Sequence, residues 1–159
     1  MPKRLLVTGG AGFIGSNFIK YVVGKYPDIE VVSLDKLTYA GNLDNLKDIE
    51  TDPRYTFVKG DICDRGIVIK SARGCDCILN FAAETHVDRS IGDPAGFIQT
   101  DVYGTYVLLE AAKELGIPRF VQISTDEVYG DAGNEPSRED SPLMPQSPYA
   151  ASKAGADRL

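Results

Sequence analysis

Three groups of residues have the types and spacing to do chemistry. The first is Tyr149-Ala150-Ala151-Ser152-Lys153. Four residues apart on a helix puts the phenol and the ammonium on one face. A cation beside a phenol stabilises the phenolate and lowers the tyrosine pKa toward neutrality, which makes a usable base. Taken alone, such a pair is an ordinary surface pair. The second group is Asp126-Glu127, within Ser124-Thr125-Asp126-Glu127-Val128-Tyr129-Gly130. Adjacent carboxyls at the mouth of a site can serve as an acid and a base where their surroundings differ. Away from a site they merely open a loop.

The third group is Thr8-Gly9-Gly10-Ala11-Gly12-Phe13-Ile14-Gly15. Gly10, Gly12 and Gly15 satisfy G-x-G-x-x-G, and Gly9, Gly12 and Gly15 satisfy G-x-x-G-x-x-G. A turn without side chains lets backbone N–H groups approach a pyrophosphate, and the positive end of the following helix is aimed at it. Asp35 stands twenty residues after Gly15. An acid there binds both hydroxyls of an adenosine ribose and repels a 2′-phosphate, so NAD is favoured over NADP. Lys36 beside it softens that preference. Asp61-Ile62 places another acid where it can meet an adenine amino group or simply make a turn. The small residues of Asn80-Phe81-Ala82-Ala83 let a cofactor lie against the chain.

These residues need a scaffold, and the apolar pattern supplies one. Short β-rich runs at 4–8, 31–34, 55–58, 77–81 and 120–124 are nearly continuously apolar in several cases, as strands covered on both faces are. Helical spacing predicts helices over 13–23, 64–72 and 97–115, the last closed by Gly116 with Pro118 just beyond. Ser147-Pro148 predicts an N-cap and a helix from about Tyr149. The segment 131–148, rich in Gly, Pro, Ser and acids, reads as a loop. Strands alternating with helices predict an α/β fold with a doubly wound parallel sheet of the Rossmann type. The three glycines then close the first strand, Asp35 the second and Asn80 to Ala83 the fourth.

Composition narrows the partners. The 159 residues suit one domain, and a net charge of -6 argues against nucleic acid or an anionic membrane, either of which favours clustered Lys and Arg. No apolar run can span a bilayer, and the N-terminus lacks the long apolar core of a signal peptide, so the expected compartment is the cytoplasm. Cys63, Cys75 and Cys77 do not suggest a disulfide framework. Cys75-Asp76-Cys77 offers two thiolates, but no full ligand set accompanies them, so no metal is expected.

The glycine motif, Asp35 to Leu43, His86-Val87-Asp88-Arg89-Ser90, Thr125 to Gly130 and Tyr149 to Lys153 together resemble the extended short-chain dehydrogenase/reductase family of NAD-dependent epimerases and dehydratases. Within it they are similar to the dTDP-glucose 4,6-dehydratases. The glycine and Tyr/Lys motifs mark only the superfamily, whereas Thr125-Asp126-Glu127 is the specific part.

The resemblance implies that Gly9, Gly12, Phe13, Ile14, Gly15, Asp35, Lys36, Leu37, Thr38, Asp61, Ile62, Ala82, Ala83 and Thr100 line an NAD site together with Tyr149 and Lys153. It implies that Tyr149 takes the proton of the glucose 4-hydroxyl during oxidation by NAD. Glu127 then removes the C5 hydrogen, and Asp126 protonates the departing C6 hydroxyl. Thr125 hydrogen-bonds the sugar, His86 lies near the substrate, and Lys153 tunes Tyr149 and holds the nicotinamide ribose.

It further implies a homodimer built on the 97–115 helix and the one begun at Tyr149, with Tyr103, Tyr106, Val107 and Leu109 giving the former extra apolar surface. Family members are about twice this length, and their second half forms a substrate lobe. The chain is therefore expected to be an incomplete NAD-binding domain over residues 1–159, with its fifth strand left as an edge. A UDP-hexose epimerase or decarboxylase relative, and a non-catalytic NAD-binding module, are the competing readings.

Overall fold

The structure, a computed structural model, describes residues 2–133 and 135–159. Five parallel strands, β1 (Arg4–Thr8), β2 (Glu30–Asp35), β3 (Tyr55–Lys59), β4 (Cys77–Asn80) and β5 (Phe120–Gln122), form one sheet in the order β3-β2-β1-β4-β5. Leu6 stands opposite Val32 on one side and Ile78 on the other. Successive residues of a strand face opposite ways, so each strand feeds two cores. Leu6, Val32, Leu34 and Ile78 meet Val68 and Ala72 of α2 (Arg65–Ala72) and Val107, Leu108 and Ala111 of α5 (Thr105–Leu115). Leu5, Val7, Val31 and Cys77 meet Ile19, Val22 and Val23 of α1 (Phe13–Lys25). This is the expected doubly wound Rossmann arrangement.

The helix ends follow local chemistry. Asp64 caps α2 by accepting from the N–H groups of Gly66 and Ile67 at 2.9 and 3.1 Å. Gly116 ends α5 at a φ of 66°, where a left-handed residue lets the Ile117 N–H return to the Ala112 carbonyl. Ser147 caps α6 (Pro148–Asp157) through the Ala150 N–H at 3.0 Å.

Three features depart from the sequence reading. The long helix begins earlier, because Asp93 caps a short α4 (Pro94–Phe97) that runs on into α5 through a π-helical stretch, Ile98–Gly104. Two elements have no apolar periodicity to announce them, a 3₁₀ segment at Leu43–Ile49 and a short α3 (Val87–Gly92). The fifth strand stops at Gln122 and not at Ser124, because the sheet ends beside it and the following residues turn toward α6.

β5 pairs with β4 alone and is an edge strand, with Val121 exposed. A buried polar relay ties the central strands. Thr8 Oγ1 donates to Asn80 Oδ1, while Asn80 Nδ2 donates to Gln122 Oε1 and Thr105 Oγ1. Among the described residues no helix is long and apolar enough to cross a membrane.

Candidate active site

β1 lies at the centre of the sheet; the chain runs from it through β2 to β3 on one side, then crosses over to β4 on the other. Loops that part in opposite directions at the carboxyl ends of adjacent strands leave a crevice. A cleft of about 520 Å³ opens there.

The glycine turn forms its floor. Gly9, at a φ of 65°, packs so closely on β4 that a Cβ would lie 2.6 Å from the Ala82 nitrogen. A Cβ on Gly15 would lie 2.3 Å from the Gly9 carbonyl oxygen. No side chain caps α1, and its first turn holds no acid, so its leading N–H groups stay free to meet an anion. Phe13 and Ile14 are 82% and 62% exposed at the cleft mouth.

Asp35 Oδ2 accepts from the Ala11 N–H at 2.9 Å and Oδ1 from the Leu37 N–H at 2.8 Å. A carboxylate has about four acceptor positions, so it is held in place and still has capacity for a diol. Lys36 Nζ pairs with Asp61 at 2.7 Å. The pairing holds Asp61 below the usual carboxylate range against the opposing effect of burial. It also commits the cation that was expected to soften the preference for NAD.

Thr38, Ile62, Ala82, Ala83 and Thr100 line the cleft, as do Gly9, Gly12, Phe13, Ile14, Gly15, Asp35, Lys36, Asp61, Tyr149 and Lys153. Leu37 does not. At a φ of 57° its side chain packs, partly buried, against the core that includes α1, and its backbone N–H meets the Asp35 carboxylate. His86 lies at the rim with a φ of 78°. Beside it the Arg89 guanidinium stacks 3.7 Å from the Tyr39 ring centre, and the Tyr39 hydroxyl donates to the Thr85 carbonyl. That contact clasps the loop after β2 to the loop after β4.

Tyr149 and Lys153 share one face of α6, and both line the cleft. Lys153 is buried and donates to the Ile123 carbonyl at 2.6 Å. Burial lowers its pKa. The pKa of Tyr149 is raised, first by burial and further by the negative charges of Glu127, Asp101 and Asp126, while contact with the Thr125 hydroxyl pulls the other way. Sequence spacing places the cation on the right face, but only the fold shows that one of its N–H groups goes to a carbonyl.

Thr125 caps a 3₁₀ turn, Asp126–Tyr129, by accepting from the Glu127 N–H. Asp126 and Glu127 are exposed and lie outside the main cleft. Glu127 lines an adjoining hollow of about 270 Å³ with Ser147 and Ala150. Glu127 and Tyr149 thus border different hollows, and the charges of both carboxyls reach the phenol. Glu84, Thr85, Ile123 and Ser124 also line the cleft and were not read from the sequence. Their position just past the ends of β4 and β5 was the available signal.

Cys75 and Cys77 face opposite cores. Burial pushes the Cys75 thiol up to about 11. Among the described residues no cluster of three or more His, Cys, Asp or Glu could hold a metal.

Fold and site together define a Rossmann-type domain with a Tyr/Lys helix beside its crevice. A family model described as GDP-mannose 4,6 dehydratase matches residues 6–159, and the chain belongs to that family. It is 55% identical over 155 residues to the low-salt glycan biosynthesis protein Agl12 of Haloferax volcanii, covering 98% of this chain and 50% of the relative. It is 53% identical over 160 residues to a dTDP-glucose 4,6-dehydratase of Streptomyces niveus, covering 98% and 48%. The dTDP-glucose 4,6-dehydratase DesIV of Streptomyces venezuelae, solved with NAD bound, superposes with a TM-score of 0.93 at 55% identity, over 98% of this chain and 49% of that one. The chain spans about half the length of the relatives it matches.

Proposed function

We propose that the protein carrying this chain is an NAD-dependent 4,6-dehydratase that converts dTDP-glucose to dTDP-4-keto-6-deoxyglucose, a hydro-lyase of nucleotide-sugar biosynthesis. Residues 1–159 are its NAD-binding domain. The observation that carries the reading is the adjacent pair Asp126-Glu127, opening the turn after β5 close enough to Tyr149 for both charges to bear on the phenol. Oxidation at C4 alone needs no such pair, whereas loss of water across C5 and C6 needs an acid and a base.

The residues fit the cofactor. The uncapped end of α1 and the glycine turn receive the pyrophosphate, Asp35 takes the adenosine ribose, and Ala82 and Ala83 give a flat wall. NAD supplies a reversible hydride acceptor, which lets a hydroxyl become a ketone and later lets C6 be reduced. Tyr149 holds and releases the proton of the 4-hydroxyl. The new ketone acidifies the C5 hydrogen, which Glu127 takes, and Asp126 protonates the departing C6 hydroxyl; a proton returns to C5 when C6 is reduced. Thr125 hydrogen-bonds the sugar near O4, and His86, which lines the cleft, lies near the substrate.

The decisive experiment is Glu127→Gln in the full-length protein. It is expected to abolish formation of the 4-keto-6-deoxy sugar while hydride exchange at C4 continues. Undiminished product would remove Glu127 as the C5 base and favour an epimerase-like relative.

The 159 residues alone are expected to bind NAD weakly and to turn nothing over, because relatives are about twice as long. Calorimetry and a 4-keto sugar assay on the isolated chain test this, and turnover would refute it. The protein is assigned to the cytoplasm and to a homodimer. Tyr103 and Tyr106 remain 45% and 47% exposed on the π-to-α5 face, although Val107, expected there, is core.

A further inference from the structure

Asp101 is a fully buried acid that none of the steps above uses; it is 1% exposed. It sits in the π-helical stretch between α4 and α5. A π turn inserts a residue and re-aims its neighbours, and such turns occur often at functional sites. Here the side chain points toward α6. Its Oδ1 accepts from the Glu84 N–H at 2.8 Å, in the loop after β4 that lines the cleft. Its Oδ2 lies 2.7 Å from the hydroxyl of Ser152, which stands between Tyr149 and Lys153.

Ser152 makes the arrangement informative. Its Oγ is also 2.8 Å from the Tyr149 carbonyl. A serine hydroxyl has one hydrogen, and a carboxylate and a carbonyl are both acceptors only. If Asp101 is ionised, one of the two contacts has no hydrogen in it. If Asp101 carries a proton, it donates to Ser152 Oγ, the serine hydrogen goes to the Tyr149 carbonyl, and every contact is satisfied.

We infer that Asp101 is a positioning residue for the Tyr149/Lys153 pair and that it works as a neutral acid, the middle link of a chain from the Glu84 amide through Ser152 to the Tyr149 carbonyl. The inference rests on Tyr149 being the base of the proposed reaction. Burial pushes the Asp101 carboxyl up to about 6, so the neutral form prevails below that pH and gives way to the carboxylate above it.

The ionisable groups around it are few. Lys153 of α6 lowers its pKa and Glu84 of the β4 loop raises it. Tyr149 of α6 feels its charge in return. α4 has no ionisable residue, and Tyr106, Glu110, Lys113 and Glu114 of α5 are exposed. When Asp101 ionises, its charge makes the phenolate of Tyr149 harder to form and draws the serine hydrogen away from α6.

Asp101→Asn keeps a donor and an acceptor without the charge, and Asp101→Ala removes all three. In the full-length protein, Asp101→Ala is expected to lower kcat for 4-keto sugar formation about tenfold or more, the scale of a misplaced catalytic group. The KM for the sugar should change little. Asp101→Asn is expected to recover most of that loss.

The Tyr149 phenol, followed by ultraviolet difference against Tyr149→Phe, should titrate at lower pH in Asp101→Asn than in the wild type. An equal loss of kcat in both variants, or an unmoved phenol titration, overturns the inference. If Asp101→Ala does not fold, carbon-13 NMR of the wild-type Asp101 carboxyl decides, because titration in the ordinary carboxylate range refutes the neutral acid. Both titrations are read without turnover, so an inactive protein would end the dehydratase reading and leave this one to be judged separately.

Discussion

Tyr149 favours its protonated form in the free chain. Burial and three nearby carboxylates raise its pKa, and the one cation on its helix face is turned to a carbonyl. A tyrosine in that state is a poor base, and a cationic nicotinamide brought into the cleft works in the opposite direction. Saturating NAD is therefore expected to lower the pH at which Tyr149 ionises, read by the same ultraviolet difference. An unchanged titration would show that the cofactor's charge does not reach the phenol. Tyr149→Phe is expected to reduce turnover by about 10²–10⁴-fold, the range for losing a general acid–base group. NAD affinity should stay close to wild type.

The joint between β1 and α1 forms the floor of the cleft, and two glycines of α1 make a matched test. A Cβ on Gly15 would lie 2.3 Å from the Gly9 carbonyl oxygen, so Gly15→Ala forces the helix away from the turn. It is expected to cost about 1–3 kcal/mol of stability, the range for overpacking, and to weaken NAD binding further. Gly24, near the other end of the helix, has nothing within 4 Å of where its Cβ would be. Gly24→Ala is expected to stabilise the fold by about 0.5–1 kcal/mol through backbone entropy and helix propensity. Urea denaturation of the two variants checks both signs, and equal effects would sink the close-packing argument.

Across the whole molecule, two acids give opposite pH dependences. Asp76 accepts from the Lys3 and Arg4 N–H groups at 2.8 and 2.9 Å, which pins the start of β1 and lowers its pKa. A depressed carboxyl contributes stability above its unfolded value, about 3.9, and loses it as the pH falls through the folded value. Asp101, raised to about 6, does the reverse. Its contribution is complete below about 3.9 and is lost as the pH rises through about 6. Asp101→Asn is thus expected to raise the melting temperature relative to the wild type at pH 8, with the gain shrinking toward pH 4. A gain of the same size at both pH values would mean that Asp101 does not titrate between them.

The sequence by itself determined the sheet, the glycine turn, the order of helices and the place of Asp35, because these follow from local apolar period, turn chemistry and spacing. It also set Tyr149 and Lys153 on one face of α6, since helix geometry requires that. It could not show that Lys153 bonds the Ile123 carbonyl, that Lys36 is paired with Asp61, or that Leu37 packs partly buried against the core. Those outcomes depend on which strands and loops end side by side, and the partners lie 25 to 30 residues apart for the two lysines. Asp101 was hidden for the same reason. In sequence it is an acid in a helix, which reads as a solvated position. Only packing of the π turn against α6 buries it, and only burial beside a serine with one hydrogen gives its proton a purpose.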